Sequence, residues 1–314
     1  MINECKAFLR KNTLKWQLPP GGEWTFLFFN NTHPHVTNLD LLWFHDDATS
    51  PAVVTKFCPT EAIIRREFEN LTKAHDLAPA LVPQPLGWQA SNGFFGLWMR
   101  GVDGFPLLPG KYRGATLRHA VETLASMHNA FRSQDHQPNR SRYRRVIAEP
   151  LESIARFGED PAVGAFFTRL RTAITEEWLT SLPIIPQHGD LFPGNLLFQR
   201  DEWRIVDWES FGTIDLPTYD LLTLFLALLW EDGDAPSEWN SVLTNELPGL
   251  IELYAGKLGL SKNDLSLLLP ISLANWFHLQ LVDGRQKFTE RMYRRIQQYV
   301  QAPQLWEQAF LRTN

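Results

Sequence analysis

Cysteine is scarce in this 314-residue chain: Cys5 and Cys58 are its two. That excludes a disulfide framework and suits a reducing compartment. Positive charge is not in excess either. Thirty Lys and Arg stand against 35 Asp and Glu, a net charge of −5, so no overall basic field favours nucleic acid. Long hydrophobic runs are missing. The longest strongly apolar stretch, Leu221 to Trp230, is about half of a bilayer span and reads as a buried helix. The opening residues Met1 to Lys6 lack the apolar core of a signal peptide, so a cytoplasmic location with no membrane span is expected. No repeat or low-complexity tract occurs. What the chain has is the 44% hydrophobic and 21% charged composition of a globular protein, enough length for two domains, and twelve Trp suited to core packing.

The most informative residues lie near the middle: His188-Gly189-Asp190-Leu191-Phe192-Pro193-Gly194-Asn195, followed by Arg204-Ile205-Val206-Asp207-Trp208-Glu209. An Asp, an Asn five positions later and an apolar run ending in a second Asp form the pattern of a phosphoryl-transfer site. Leu196 to Phe198 and Trp203 to Val206 read as two short strands around the polar turn Gln199 to Glu202. Folding that hairpin about Arg200 and Asp201 sets Asn195 almost opposite Asp207 at its open end. Such neighbours lie roughly 5–8 Å apart. Two oxygen ligands at that separation can share one Mg2+, which takes few protein ligands and completes its shell with water and phosphate. Asp190, in the preceding loop, is ionised at neutral pH and is the candidate catalytic base. His188 is expected to fix the loop rather than to act as a base.

These two segments, with Tyr219-Asp220-Leu221-Leu222, resemble the aminoglycoside phosphotransferase and choline kinase family. The resemblance is specific over residues 184–225 and looser over the first hundred. It implies an α+β, two-lobed protein-kinase-like fold: a small, mainly antiparallel β N-lobe with one helix over 1–99, an interlobe hinge at 100–106, and a larger helical C-lobe over 107–314. It implies ATP as donor, with GTP left open, and Mg2+ held by Asn195 and Asp207. Lys56 in Val53-Val54-Thr55-Lys56 resembles the phosphate-binding lysine of kinases, and Glu67 is its candidate partner, with Glu61 and Glu69 competing. A lysine aimed at phosphates has too many rotamers unless a carboxylate steadies it. In the family the hinge backbone binds adenine, which nominates Met99, Arg100 and Val102. Arg100 departs from the Glu that many relatives carry there. Asp220 is expected to brace the loop of His188 and Asp190. Kinases place a glycine-rich phosphate loop between the first two strands. Here Asn30 to Asn38 contains no glycine, so Asn and Thr groups would have to serve.

The segment between Asp207 and Asp220 is too short for the platform that binds a polypeptide, and no A-P-E follows. A small-molecule hydroxyl acceptor is therefore expected, phosphorylated by an alcohol-group phosphotransferase. A nucleotide-binding pseudokinase acting as a scaffold and an atypical protein kinase are the alternatives. Trp230-Glu231-Asp232-Gly233-Asp234 could wall a cationic acceptor, and the basic run Asn139 to Arg145 could meet an anionic one. Acceptor identity and oligomeric state are not encoded in any motif. Strands are expected at Trp24–Phe29, Leu39–Phe44, Ala52–Phe57 and in the hairpin of Val82–Trp88 with Phe94–Met99. Helices are expected from Thr60 to Ala74, from Ala115 to about His128, over 150–182, from Asp220, and over 240–310 with Pro270 opening one.

Overall fold

A computed structural model describes residues 2–32, 37–91, 93–107, 114–133, 140–158, 160–230, 232–239 and 241–311. The chain forms two compact units, one of residues 1–106 with 195–210, the other of 107–194 with 211–314. Residues 195–210, grouped with the helical lobe on sequence alone, pack with the strands.

The first unit is built on a five-stranded antiparallel sheet, β1 (Trp24–Thr32), β2 (Thr37–His45), β3 (Val53–Cys58), β4 (Pro85–Ser91) and β5 (Phe94–Arg100), in the order β1-β2-β3-β5-β4. Side chains alternate across a strand. Trp43 therefore shares a face with Leu41, and Val53 with Thr55 and Phe57, all of them buried. Trp43 donates its indole N–H to Thr55 Oγ1 at 2.9 Å, which settles the polar atoms inside this layer. The other parity of β3 turns Lys56 toward α2 (Glu61–Leu77). That helix buries Ile64, Glu67, Leu71 and Ala74, spaced as one helical face. Helix α1 (Ile2–Asn12) was not anticipated from the sequence. It adds Cys5 and Leu9 to a core shared with Trp16, Trp24 and Trp98. Trp98 sits at its centre, with ring centroids 5.1 Å from Phe8, 5.6 Å from Trp16 and 6.2 Å from Trp43.

A second, three-stranded sheet in this unit joins β6 (Phe105–Pro106), β7 (Leu196–Gln199) and β8 (Glu202–Ile205). The expected hairpin is present, with Leu196 opposite Ile205 and Gln199 opposite Glu202. Arg200 and Asp201 form its tip, both at positive φ (50° and 64°), as a two-residue hairpin loop requires. This register sets Asn195 opposite Val206, one residue from Asp207, and the Val206 amide donates to the Asn195 carbonyl at 3.0 Å.

The second unit is helical: α3 (Ala115–Phe131), the short α4 (Arg140–Tyr143) running through a π turn into α5 (Glu149–Phe157), α6 (Pro161–Ala173), α7 (Glu176–Ser181), α8 (Tyr219–Leu228), α9 (Ser241–Leu258), α10 (Lys262–Val282), α11 (Gln286–Gln301) and α12 (Pro303–Phe310). All ten residues of α8 are buried. Pro270 does not open a helix as expected but lies inside α10. The start signal is upstream, where Ser261 and Asp264 form a reciprocal capping box. The missing Pro270 N–H is tolerated within a helix held by buried packing. Helix α10 is long and apolar enough to cross a bilayer, but Leu265, Leu268 and Ile271 to Phe277 are buried in the protein's own core. Core packing thus accounts for its composition.

Trp98→Ala empties the centre of the aromatic cluster that ties α1 to the sheet. It should cost about 3–5 kcal/mol of unfolding free energy, read as a lowered urea midpoint.

Candidate active site

In the first unit, local structure brings four predicted or unpredicted charges together. Strand parity presents Lys56 toward α2, and the helical period presents Glu67 back toward it. Lys56 Nζ donates to Glu67 Oε1 at 2.9 Å, to Asp207 Oδ1 at 2.8 Å and to Glu209 Oε2 at 3.2 Å. An ammonium has three N–H bonds, so these contacts saturate it. The competitors for the role of Glu67 fall away: Glu61 pairs with Arg65, and Glu69 is exposed. Asp207 follows β8 at φ 68°, a left-handed conformation that costs a non-glycine residue energy and persists only where the surroundings enforce it. The neighbouring Trp208 is buried and donates its indole N–H to the Ile205 carbonyl at 2.8 Å. Asn70 of α2 donates to the Glu209 carbonyl at 2.9 Å.

Burial works against the charge on Lys56, but Asp207, Glu67 and Glu209 outweigh it and hold the ammonium well above its ordinary pKa. Burial pushes Glu67 up to about 7, against the opposing pull of Lys56, and Asp207 and Glu209 add to the rise. Glu67 is 2% exposed, and its second oxygen, Oε2, has no hydrogen-bond partner among the described residues. Oxygens of Glu67, Asp207 and Glu209 lie within 4.8 Å of one another. Three carboxylates facing one ammonium leave a deficit of positive charge that a divalent cation would fill, and the donor set is the hard oxygen set that Mg2+ prefers. Glu209 was missed by the sequence reading. Its signal was there in Asp207-Trp208-Glu209, where alternate residues of an extended segment share a side.

The hinge candidates sit at the end of β5. Arg100 N–H donates to the Gln84 carbonyl at 2.8 Å and Gly101 N–H to the Ala52 carbonyl at 3.0 Å. The Arg100 guanidinium donates to the Trp16 carbonyl, tying the N-terminal segment to the sheet. Met99 and Val102 are half-buried. Of the expected Asn30–Asn38 loop, Asn30 to Thr32 extend β1 and Thr37 and Asn38 begin β2, while 33–36, including His33 and His35, lie outside the described residues.

The second unit holds Asp190 and its supports. Asp220, at the first turn of α8 and fully buried, accepts hydrogen bonds from the consecutive amides of His188 (2.6 Å) and Gly189 (3.0 Å). Its own amide donates to Gln187 Oε1 at 3.1 Å. His188 is buried, and its Nδ1 accepts from the Asp190 amide at 3.3 Å. Gly189 sits at φ 89°, where a side chain would be strained. These bonds fix the backbone from 187 to 190 and leave Asp190 half-buried. Behind Asp220 lie two residues that no motif marked: His128, with Nε2 at 3.1 Å from Asp220 Oδ2, and Tyr254, bonded to His128 Nδ1. Burial opposes the charge on Asp220, yet the bonds from His128 and the Gly189 amide carry its pKa below the usual value.

Two acceptor-wall expectations change. Asp234 is occupied by Arg291 and Arg294 (3.3 Å each) with Arg295 at 3.6 Å, and Arg291 and Arg295 also lie 4.2 and 4.7 Å from the Trp230 ring. The Asp234 carboxylate is therefore neutralised from within the fold and does not present an unpaired acidic wall. Glu231 lies outside the described residues. In the basic run, Arg142 and Arg145 both pair with Asp215, at 3.0 and 2.6 Å, and Arg144 pairs with Glu149. These three arginines are engaged within the unit.

An antiparallel sheet with packed helices, followed by a helical unit, is the architecture of kinase-like phosphotransferases, and solved structures share it. A candidate aminoglycoside phosphotransferase from Ralstonia eutropha JMP134 superimposes with TM-score 0.66 at 14% identity, over 96% of this chain and 98% of that one. A choline/ethanolamine kinase family protein from Mesorhizobium loti does so with TM-score 0.58 at 16% identity, over 91% of each. A thermostable variant of aminoglycoside phosphotransferase APH(4)-Ia, in ternary complex with AMP-PNP and hygromycin B, aligns with TM-score 0.57 at 15% identity, over 89% of this chain and 95% of that one. At these identities the likeness is one of fold. No curated protein sequence matches the chain. The sequence matches the phosphotransferase enzyme family, APH, over residues 38–246, more than half of its length, and the chain belongs to that family.

The depressed pKa of Asp220 makes a stability prediction with a definite sign. An unfolded Asp titrates near 3.8, above the folded value. The stability contributed by its charge is thus complete above that pH and is lost as pH falls through the folded pKa. Asp220→Asn should be less stable than wild type at neutral pH. The gap should hold down to about pH 5 and narrow below that unfolded value, as measured by urea unfolding across about pH 2–7.

Proposed function

We propose that this protein is an ATP- and Mg2+-dependent small-molecule kinase that moves the γ-phosphoryl group to an acceptor hydroxyl. The observation that carries the reading is the Lys56 cluster: a buried ammonium inside an excess of carboxylates, in a chain of a phosphotransferase family. A structural salt bridge needs one carboxylate for one lysine. Three suit a site whose remaining charge is supplied by a ligand.

The division of labour follows the residues. Lys56, steadied by Glu67, binds phosphate oxygens in exchange for its contacts to Asp207 and Glu209. Asn195 and Asp207 would hold Mg2+, with Glu209 beside them, and the ion would supply charge neutralisation to the transferring phosphate. Adenine is read by backbone groups near Met99, Arg100 and Val102. The Arg100 and Gly101 amides are already used, whereas the Val102 amide and carbonyl have no partner among the described residues, which favours Val102. Asp190 accepts the acceptor's hydroxyl proton, its position set by the Asp220-clamped loop. His188 serves the loop and not the proton. The rate comes from positioning and charge stabilisation, as phosphoryl transfer allows. The short segment between Asp207 and Asp220 supports a small acceptor over a polypeptide, such as an amino alcohol, a sugar or an aminoglycoside.

ADP release measured against a panel of such hydroxylated compounds should identify an acceptor. Asp190→Ala should then lower kcat by about 10²–10⁴-fold while ATP binding, followed by thermal shift, persists. Removal of Mg2+ by a chelator should abolish turnover in both proteins. Nucleotide binding with no ADP release from wild type across the panel would favour a silent nucleotide-binding protein instead.

A further inference from the structure

The buried polar chain behind Asp220 has no place in that mechanism. It begins at Tyr254 of α9, passes through His128 of α3 and ends on Asp220 of α8, three helices far apart in sequence. All three side chains have no solvent exposure. Burying a phenol, an imidazole and a carboxylate together costs several kcal/mol unless each is satisfied, and a packed aliphatic trio would avoid that cost. The hydrogen bonds fix the roles. Asp220 is ionised and accepts from the His188 and Gly189 amides, so His128 Nε2 must be its proton donor. His128 Nδ1 then faces the Tyr254 hydroxyl. With the ring proton on Nε2, His128 Nδ1 accepts from the Tyr254 O–H. Tyr254 therefore holds the imidazole that in turn meets Asp220.

We infer that Tyr254 and His128 are positioning residues for phosphoryl transfer: through a hydrogen-bonded relay they hold the Asp220 carboxylate in the rotamer that receives the His188 and Gly189 amides, and so set the backbone that presents Asp190. Without the relay, Asp220 regains its side-chain freedom and the loop loses its fixed point. A catalytic group displaced by about 1 Å costs on the order of 100-fold in rate, while nucleotide-binding residues outside the relay are untouched.

This inference rests on the kinase reading, and its test separates the two. Tyr254→Phe removes one oxygen and keeps the ring. With an acceptor from the panel, or water as acceptor if none is found, Tyr254→Phe should lower kcat between about 10- and 100-fold and leave the KM for ATP within about twofold. His128→Gln should show the same split if Tyr254→Phe fails to fold. In parallel, ring 15N spectra of histidine-labelled wild-type protein should show His128 as the Nε2–H tautomer. The backbone amides of His188, Gly189 and Asp190 should shift in Tyr254→Phe while those of Lys56 and Val102 stay in place. An unchanged kcat in Tyr254→Phe would overturn the inference. So would unmoved amides at 188–190, even if wild type turns out to release no ADP, an outcome that would sink the kinase reading by itself.

Discussion

One ammonium group organises the first unit. Lys56 is buried, and burial alone would expel its charge. Three carboxylates from α2 and from the segment after β8 keep it protonated. The arrangement constrains everything around it. β3 must be central, so that its alternate face is covered by α2. The helix must expose Glu67 on its buried side, a costly choice without the lysine. The second sheet must end so that Asp207 and Glu209 reach the same nitrogen, and Asp207 adopts a strained backbone to do so.

The second unit repeats the logic with the sign reversed. There the buried charge is an anion, Asp220, and its partners are two backbone amides and an imidazole. These donors satisfy it from within the fold and fix the backbone of residues 188 and 189. The same economy governs Arg295, fully buried at the end of α8, whose guanidinium donates to the carbonyls of Leu226 and Leu229. It caps the C-terminal end of the helix whose first turn holds Asp220. Asp234 meets the arginines of α11 in the same region, so charges that looked available for a ligand in the sequence are consumed by the fold.

Much of the candidate site could be nominated from sequence because its residues are local. Asp190, Asn195 and Asp207 lie within eighteen residues, and the hairpin joining the last two is written in its turn residues and apolar flanks. Lys56 and Glu67 could be paired by strand and helix period. Glu209 was within reach, two residues from Asp207, but a third acid beside a lysine has no motif. His128 and Tyr254 were out of reach. Each lies in an ordinary apolar helix, and their meeting with Asp220 joins positions 92 and 126 residues apart. Helix α1 was hidden for a similar reason: its apolar side is only Cys5, Leu9 and their neighbours, and its docking depends on Trp16 and Trp98.

The sequence by itself determined the family pattern, the alternation of strands and helices, and which side chains could perform acid–base and metal chemistry, since these follow from residue type and short spacing. The tertiary structure alone decided which charges are spent and which remain in excess. Spacing along the chain says nothing of the partner a charge meets across it, and that partner sets whether an acid is a wall, a brace or a ligand.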